Sequence, residues 1–234
     1  MRIARFIISL GISLAAAFLL FWFLENPLFD FHPFSKPIIN FYLNYEMSTL
    51  LVSLSLLIGL FFVSDNVRLK FLSISKVSSP MKPSLLPGLR KEERWETTGW
   101  TIGLIMAAVT GLVLYFQTSA SGYSFKLRPN LIMVLPMAAA NAFTEEVVFR
   151  LSYVTATENA GLLPTWAKAL GSLVFGFIHY WGIAPKGMLG AVLAAYIGFF
   201  LTKSILETKG FLFAWAVHAI LDVVILTFLF NAHP

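Results

Sequence analysis

Six residues stand where a lipid-soluble stretch of chain has no ordinary use for them: Glu145, Glu146, Arg150, His179, His218 and Asp222. A charged side chain in hydrocarbon costs several kcal/mol or more, so each is a candidate for function. Helical spacing separates their roles. Glu146 and Arg150 are four apart and share a face, whereas Glu145 points about 100° from Glu146 and about 140° from Arg150. Glu146 is therefore the natural ion-pair partner of Arg150, and Glu145 has no charge partner on its own helix. His218 and Asp222, also four apart, share one face of another helix.

A carboxylate facing a neutral imidazole in a dry pocket can hold a water molecule and take its proton as the water attacks a carbonyl. Donors from another helix can then stabilise the oxyanion that forms. His218 suits that task; an ionised Asp222 cannot donate and would orient His218. No serine lies near these histidines at a recognisable spacing and the chain has no Cys, which leaves water as the nucleophile. An antiparallel turn near position 162, signalled by Gly161 and Pro164, would bring Glu145 level with His179. This requires the helix of Glu145 to run past Arg150 to about Glu158. Asn141, one turn before Glu145, could orient that carboxylate.

The elements that position these residues are membrane spans. Of 234 residues 58% are hydrophobic and 12% charged, against about half and a quarter in soluble domains. Apolar runs at about 3–24, 44–63, 98–117, 130–152, 164–180, 186–202 and 210–230 predict an all-α polytopic membrane protein of about seven transmembrane helices with a buried polar site. The first run is too long for a signal-peptide core and is kept as a span. Residues 1–128 comprise three N-terminal spans and a basic loop; residues 129–234 form a four-span catalytic core, the two making one membrane-embedded domain. Every other His and carboxylate is expected in a connection or at a terminus.

The connection at 64–97 carries Arg68, Lys70, Lys76, Lys82, Arg90, Lys91 and Arg94, so the positive-inside rule makes it and the N-terminus cytoplasmic. Lys168, Lys203 and Lys209 fall in the other inside connections, and Lys36, Lys126, Arg128 and Lys186 in the outside ones. Pro80, Pro83, Pro87 and Gly88 predict an irregular start to the basic loop, with a short interfacial helix around 89–95. The net charge of +5 serves topology rather than nucleic acid, which is excluded as a partner. Glycines of the sixth span allow close helix packing. Phe175, Trp181 and Trp215 are expected as packing residues and interfacial anchors.

Glu145-Glu146-x-x-x-Arg150, Phe175-x-x-x-His179 and His218-x-x-x-Asp222 resemble, in order and on separate apolar helices, the three motifs of the CPBP family of intramembrane endopeptidases, the CAAX protease and bacteriocin-processing (Abi) family. The resemblance covers about residues 130–230. It implies a glutamate-dependent intramembrane protease in which Glu145 and His179 activate water, His218 and Asp222 form the oxyanion site, and Glu146 and Arg150 hold the site in shape. Asp222 stands where many members carry Asn, which donates to an oxyanion directly. The implied substrate is a membrane-associated peptide or protein: a CAAX-type tail, a leader peptide or a C-terminal sorting anchor.

No cofactor is expected. Zinc on Glu145, His179 and His218 is the alternative, but no two His share a helix at the i, i+4 spacing of His-Glu-x-x-His metalloproteases. Other readings are a proton-coupled transporter, disfavoured by the absence of a repeat, and a non-catalytic membrane immunity or secretion factor. Small size and the lack of organelle signals suggest a prokaryotic inner membrane.

Overall fold

A computed structural model of the chain describes residues 2–63, 71–122, 124–125 and 130–233. Arg68, Lys70, Lys126 and Arg128, counted above in the connections, lie outside the described residues. The helices are α1 (Arg2–Trp22), α2 (Pro37–Val63), α3 (Trp100–Ala120), α4 (Leu131–Glu146), α5 (Ser152–Ala160), α6 (Pro164–His179), α7 (Gly187–Thr208) and α8 (Leu212–Asn231). A π-helical turn, Trp95–Gly99, leads into α3, and another, Val147–Leu151, joins α4 to α5. Among the described residues, six helical stretches are long and apolar enough to cross a membrane, with 28 to 56% of each apolar window buried inside the protein. Their outward residues, such as Ile58, Leu104 and Ile132, are exposed and apolar. The chain is an all-α integral membrane protein.

The fifth expected span, at 164–180, is not among these six: it is α6, whose 16 residues cover about 24 Å, less than the hydrocarbon thickness of about 30 Å. It nevertheless returns the chain across. At one end of the bundle, Phe211 N–H donates to Ser73 O, Lys76 N–H to Thr208 O and Phe213 N–H to Ser75 Oγ, each at 2.9 Å, joining residues 73–76 to the α7–α8 corner. At the opposite end, β3 (Ser124–Phe125) pairs antiparallel with β4 (Ala232–His233), and Lys186 N–H meets Gln117 Oε1 at 3.3 Å. The segment 180–186 thus completes the crossing that α6 begins.

Three element boundaries differ from the sequence expectation, each for a local reason. Helix α2 starts at Pro37, seven residues before 44, because Asn40, Asn44 and Ser48 do not face lipid. Their side chains bond the backbone of Phe34, Phe31 and Leu28 at 2.8 to 3.0 Å, satisfying an extended connection that has no strand partner. Proline at the first helical position fits this start.

The interfacial helix expected at 89–95 is instead the return arm of a hairpin. Strand β1 (Pro80–Met81) pairs with β2 (Glu93–Arg94), and Ser84 and Leu89 exchange backbone bonds at 2.9 and 3.1 Å. Pro83 and Pro87 remove helical donors, and Gly88 takes the left-handed φ of 85° that the turn needs. Trp95 follows, fully buried, 5.3 Å from both Phe200 and Phe213 ring centroids, with Nε1 donating to Glu207 Oε2 at 3.1 Å.

Helix α7 continues to Thr208, so Lys203 and Glu207 lie inside it rather than in a connection. Their charges neutralise each other four residues apart, and Lys203 Nζ also donates to Lys82 O at 2.8 Å. Helices α6 and α7 pack at backbone distance: a Cβ on Gly176 would lie 2.7 Å from Ala195 Cβ and 2.8 Å from Ala191 O.

Candidate active site

Helix α4 carries Asn141, Glu145 and Glu146, the π turn carries Arg150, α6 carries Phe175 and His179, and α8 carries His218 and Asp222. All but His179 and Asn141 are at most 9% exposed. Glu145 lies fourteen residues after the first residue of α4, about 21 Å from that end. The site is therefore well inside the membrane, towards the end that holds the hairpin.

His218 is the hub. Its Nδ1–H donates to Glu146 Oε1 at 2.7 Å, and Nε2 lies 3.3 Å from Glu145 Oε2 and 3.7 Å from Asp222 Oδ1. Both glutamates thus meet one imidazole, although they point about 100° apart around α4. Asp222 is held from its other oxygen: Asn141 Nδ2 donates to Oδ2 at 3.0 Å.

Glu146 faces Arg150 Nη1 at 3.3 Å as well as His218. Arg150 is fully buried and its guanidinium lies flat over the Phe175 ring, 3.7 Å from the centroid. The wide turn at 147–151 carries this bulky side chain inward. Such π turns sit frequently at functional sites. Phe175 is also 4.1 Å from the His179 ring and 5.9 Å from the His218 ring, so one aromatic ring abuts the guanidinium and both imidazoles. It is more central than the packing role expected of it.

His179 lines the same cavity, at the end of α6. Its Nδ1–H donates to Phe175 O at 2.8 Å, which leaves Nε2 as the acceptor nitrogen of the neutral ring. Glu145 and His179 lie within electrostatic reach of each other. Among the described residues, however, the polar contact of Glu145 is with His218, not the His179 contact that hairpin spacing suggested. The reason is that α6 ends at His179, so the imidazole sits at a helix terminus instead of mid-span. Asn141 likewise holds Asp222, not Glu145. Trp215 anchors helices to each other: its Nε1–H donates to Ala139 O at 3.0 Å. Trp181 is exposed at the α6 terminus.

The cavity measures about 130 Å³ and is bounded by Glu145, His179, His218, Asp222 and the segment Gly182–Pro185. Tyr42 and Tyr45 of α2 complete it, and sequence reading missed both. The boundary placed at 44 put them at a membrane edge. Among the described residues, no three His, Asp or Glu side chains converge in a way that could hold a metal.

Residues 127–224 match the model of a family described as type II CAAX prenyl endopeptidase Rce1-like. This region is similar to that family. The matched residues run into α8 and include Glu145, Glu146, Arg150, Phe175, His179, His218 and Asp222. Helices α1 to α3 and the hairpin lie outside it. Comparison with curated proteins and with solved structures gave no match.

Proposed function

We propose that the protein is an intramembrane endopeptidase that hydrolyses a peptide bond in a membrane-associated peptide or protein, with residues 129–234 as catalytic core and α1 to α3 as scaffold. The observation that carries the reading is the convergence of Glu145, Asp222 and His218, beside His179, on one cavity, with Glu146 behind His218, within the residues that match the Rce1-like family. Glu145 is the general base: its carboxylate borders the cavity and takes a proton from water as the oxygen attacks the carbonyl carbon. His179, with Nδ1–H committed to Phe175 O, offers Nε2 as the second acceptor that orients the water.

His218 commits Nδ1–H to Glu146, so as imidazolium it directs Nε2–H into the cavity, where the carbonyl oxygen gains charge. Asp222, held by Asn141, flanks the same Nε2 at 3.7 Å and orients the ring. Glu146, Arg150 and Phe175 hold the imidazoles in place. The proton taken by Glu145 passes to the leaving amine as the tetrahedral intermediate collapses. The proposed reaction uses no metal: a His218 imidazolium, with Nδ1–H on Glu146 and Nε2–H turned to the carbonyl oxygen, has no lone pair for one.

The substrate is a CAAX-type tail, a leader peptide or a sorting anchor, and the protein resides in a prokaryotic inner membrane with its N-terminus and hairpin cytoplasmic. Purified protein with an apolar fluorogenic peptide tests the reading. Glu145→Gln should lower kcat by about 10²–10⁴, the usual scale for a general base, with insertion unchanged. Full turnover by that variant would overturn the assignment, and proton or solute flux into proteoliposomes would favour a transporter.

A further inference from the structure

The active-site cavity offers few donors to a negative charge. Asn141 Nδ2 is taken up by Asp222, His179 Nδ1–H by Phe175 O and His218 Nδ1–H by Glu146. His218 Nε2 remains, and it stands between two carboxylates, 3.3 Å from Glu145 and 3.7 Å from Asp222. An oxyanion forming there meets one donor and two like charges. The other donors on the wall are hydroxyls, those of Tyr42 and Tyr45 from α2 and Thr110 from α3. Among the described residues, neither tyrosine hydroxyl has a hydrogen-bond partner, yet neither is sealed off as the Glu46 and Tyr153 side-chain oxygens are. Both tyrosines are 8% exposed and line the cavity, so their hydroxyls open into it.

Tyr45 is the better placed of the two. Lys36 Nζ donates to Phe230 O at 2.9 Å, so the start of α2 lies beside the end of α8. Measured along the helices from that end, Tyr45 is about 12 Å deep and Asp222 about 14 Å, whereas Tyr42 is about 8 Å deep. Glu145 is the charge that weighs most on Tyr45; on Tyr42 it is Glu46, which stands inside α2 and not in a connection. Phe41 lies nearly parallel to the Tyr45 ring, with 5° between the planes and 6.4 Å between centroids, and steadies its orientation.

We propose that Tyr45 is a catalytic residue of the peptide hydrolysis: its phenol O–H donates, beside His218 Nε2–H, to the oxygen of the attacked carbonyl as that oxygen gains charge. The inference rests on the endopeptidase reading. The phenol keeps its proton throughout, and the oxygen's electron pair re-forms the C=O bond as the C–N bond breaks. A neutral phenol suits a pocket that already holds Glu145 and Asp222, because it adds a donor without adding charge. Helix α2, which lies outside residues 127–224, then contributes chemistry as well as support.

The test uses full-length protein in lipid nanodiscs, an apolar fluorogenic peptide and the matching peptidyl trifluoromethyl ketone, whose hydrate mimics the tetrahedral intermediate. Tyr45→Phe should lower kcat by about 10²–10³, the usual scale for one oxyanion donor, with KM within about threefold of wild type. It should weaken the ketone by the same factor, while the peptide binds Glu145→Gln equally well with and without Tyr45→Phe. A merely structural role would move both affinities together. Tyr45→4-fluorophenylalanine, which fills the hydroxyl's place without donating, should show the same loss and serves if Tyr45→Phe fails to accumulate. Wild-type kcat and ketone affinity in either variant, or the loss appearing in Tyr42→Phe or Thr110→Val instead, would overturn Tyr45 as the donor. Tyr45-dependent binding of the ketone without cleavage of any peptide would sink the endopeptidase reading alone. Neither cleavage nor ketone binding by wild type would sink both.

Discussion

At the scale of single residues, the site is a problem in balancing buried charge. Arg150 is the permanent cation among Glu145, Glu146 and Asp222, and it touches Glu146 by charge and Phe175 by its flat face. Removing one member of a buried pair costs about 3–5 kcal/mol because the other charge stays behind. Glu146→Gln should therefore lower the thermal unfolding midpoint in detergent as well as turnover. An unchanged midpoint with lost turnover would make Glu146 a reacting group instead. For Asp222, the bond from Asn141 fixes one oxygen and leaves the other 3.7 Å from His218 Nε2. Asp222→Asn keeps an acceptor for Asn141 and adds a donor for an oxyanion, so kcat should stay within about tenfold of wild type, whereas Asp222→Leu should lose about 10² or more. Equal loss in both variants would show that the negative charge itself is needed. Sequence spacing paired Glu146 with Arg150 correctly, because four residues on one helix fix that geometry. It could not see His218 reaching both glutamates, which depends on how closely α8 approaches α4.

At the scale of elements, two devices set the geometry: the wide turn after α4 and the small-residue seam between α6 and α7. Deleting Val148 would convert the five-residue turn at 147–151 to regular helix and set Arg150 three residues instead of four from Glu146, displacing its guanidinium. Arg150 would then leave Phe175, and turnover should fall at least a hundredfold while the protein still inserts. Retained activity would mean that the turn is incidental. The turn had no sequence signal, since Val-Val-Phe-Arg-Leu suits a regular helix equally well. The glycine seam was legible, but its consequence was not: the close approach of α6 to α7 helps place Phe175 and His179, together on α6, against Arg150 and His218.

At the scale of the whole molecule, the ends of the bundle are fixed by side chains from distant parts of the chain. Lys203, Glu207 and Trp95 dock the hairpin on α7, while β3 and β4 join the opposite end. Because the chain contains no Cys, single cysteines report sidedness cleanly. Leu85→Cys at the exposed hairpin tip should react with an impermeant maleimide from the cytoplasmic side alone, and Ser121→Cys from the opposite side alone. Labelling of both from one side would refute the odd number of crossings between them. The amino-acid sequence by itself determined that the chain is a bundle of membrane helices, where most of them lie, and which ionisable residues sit out of place, because hydropathy and helical period are local properties. Only the tertiary structure decided that Glu145 meets His218, that Asn141 holds Asp222, and that Tyr42 and Tyr45 of α2 stand at the site. Those contacts depend on the approach of helices far apart in the chain, and polar residues such as Asn40 and Asn44, which bond the backbone of the connection before α2, look in sequence like the edge of a membrane.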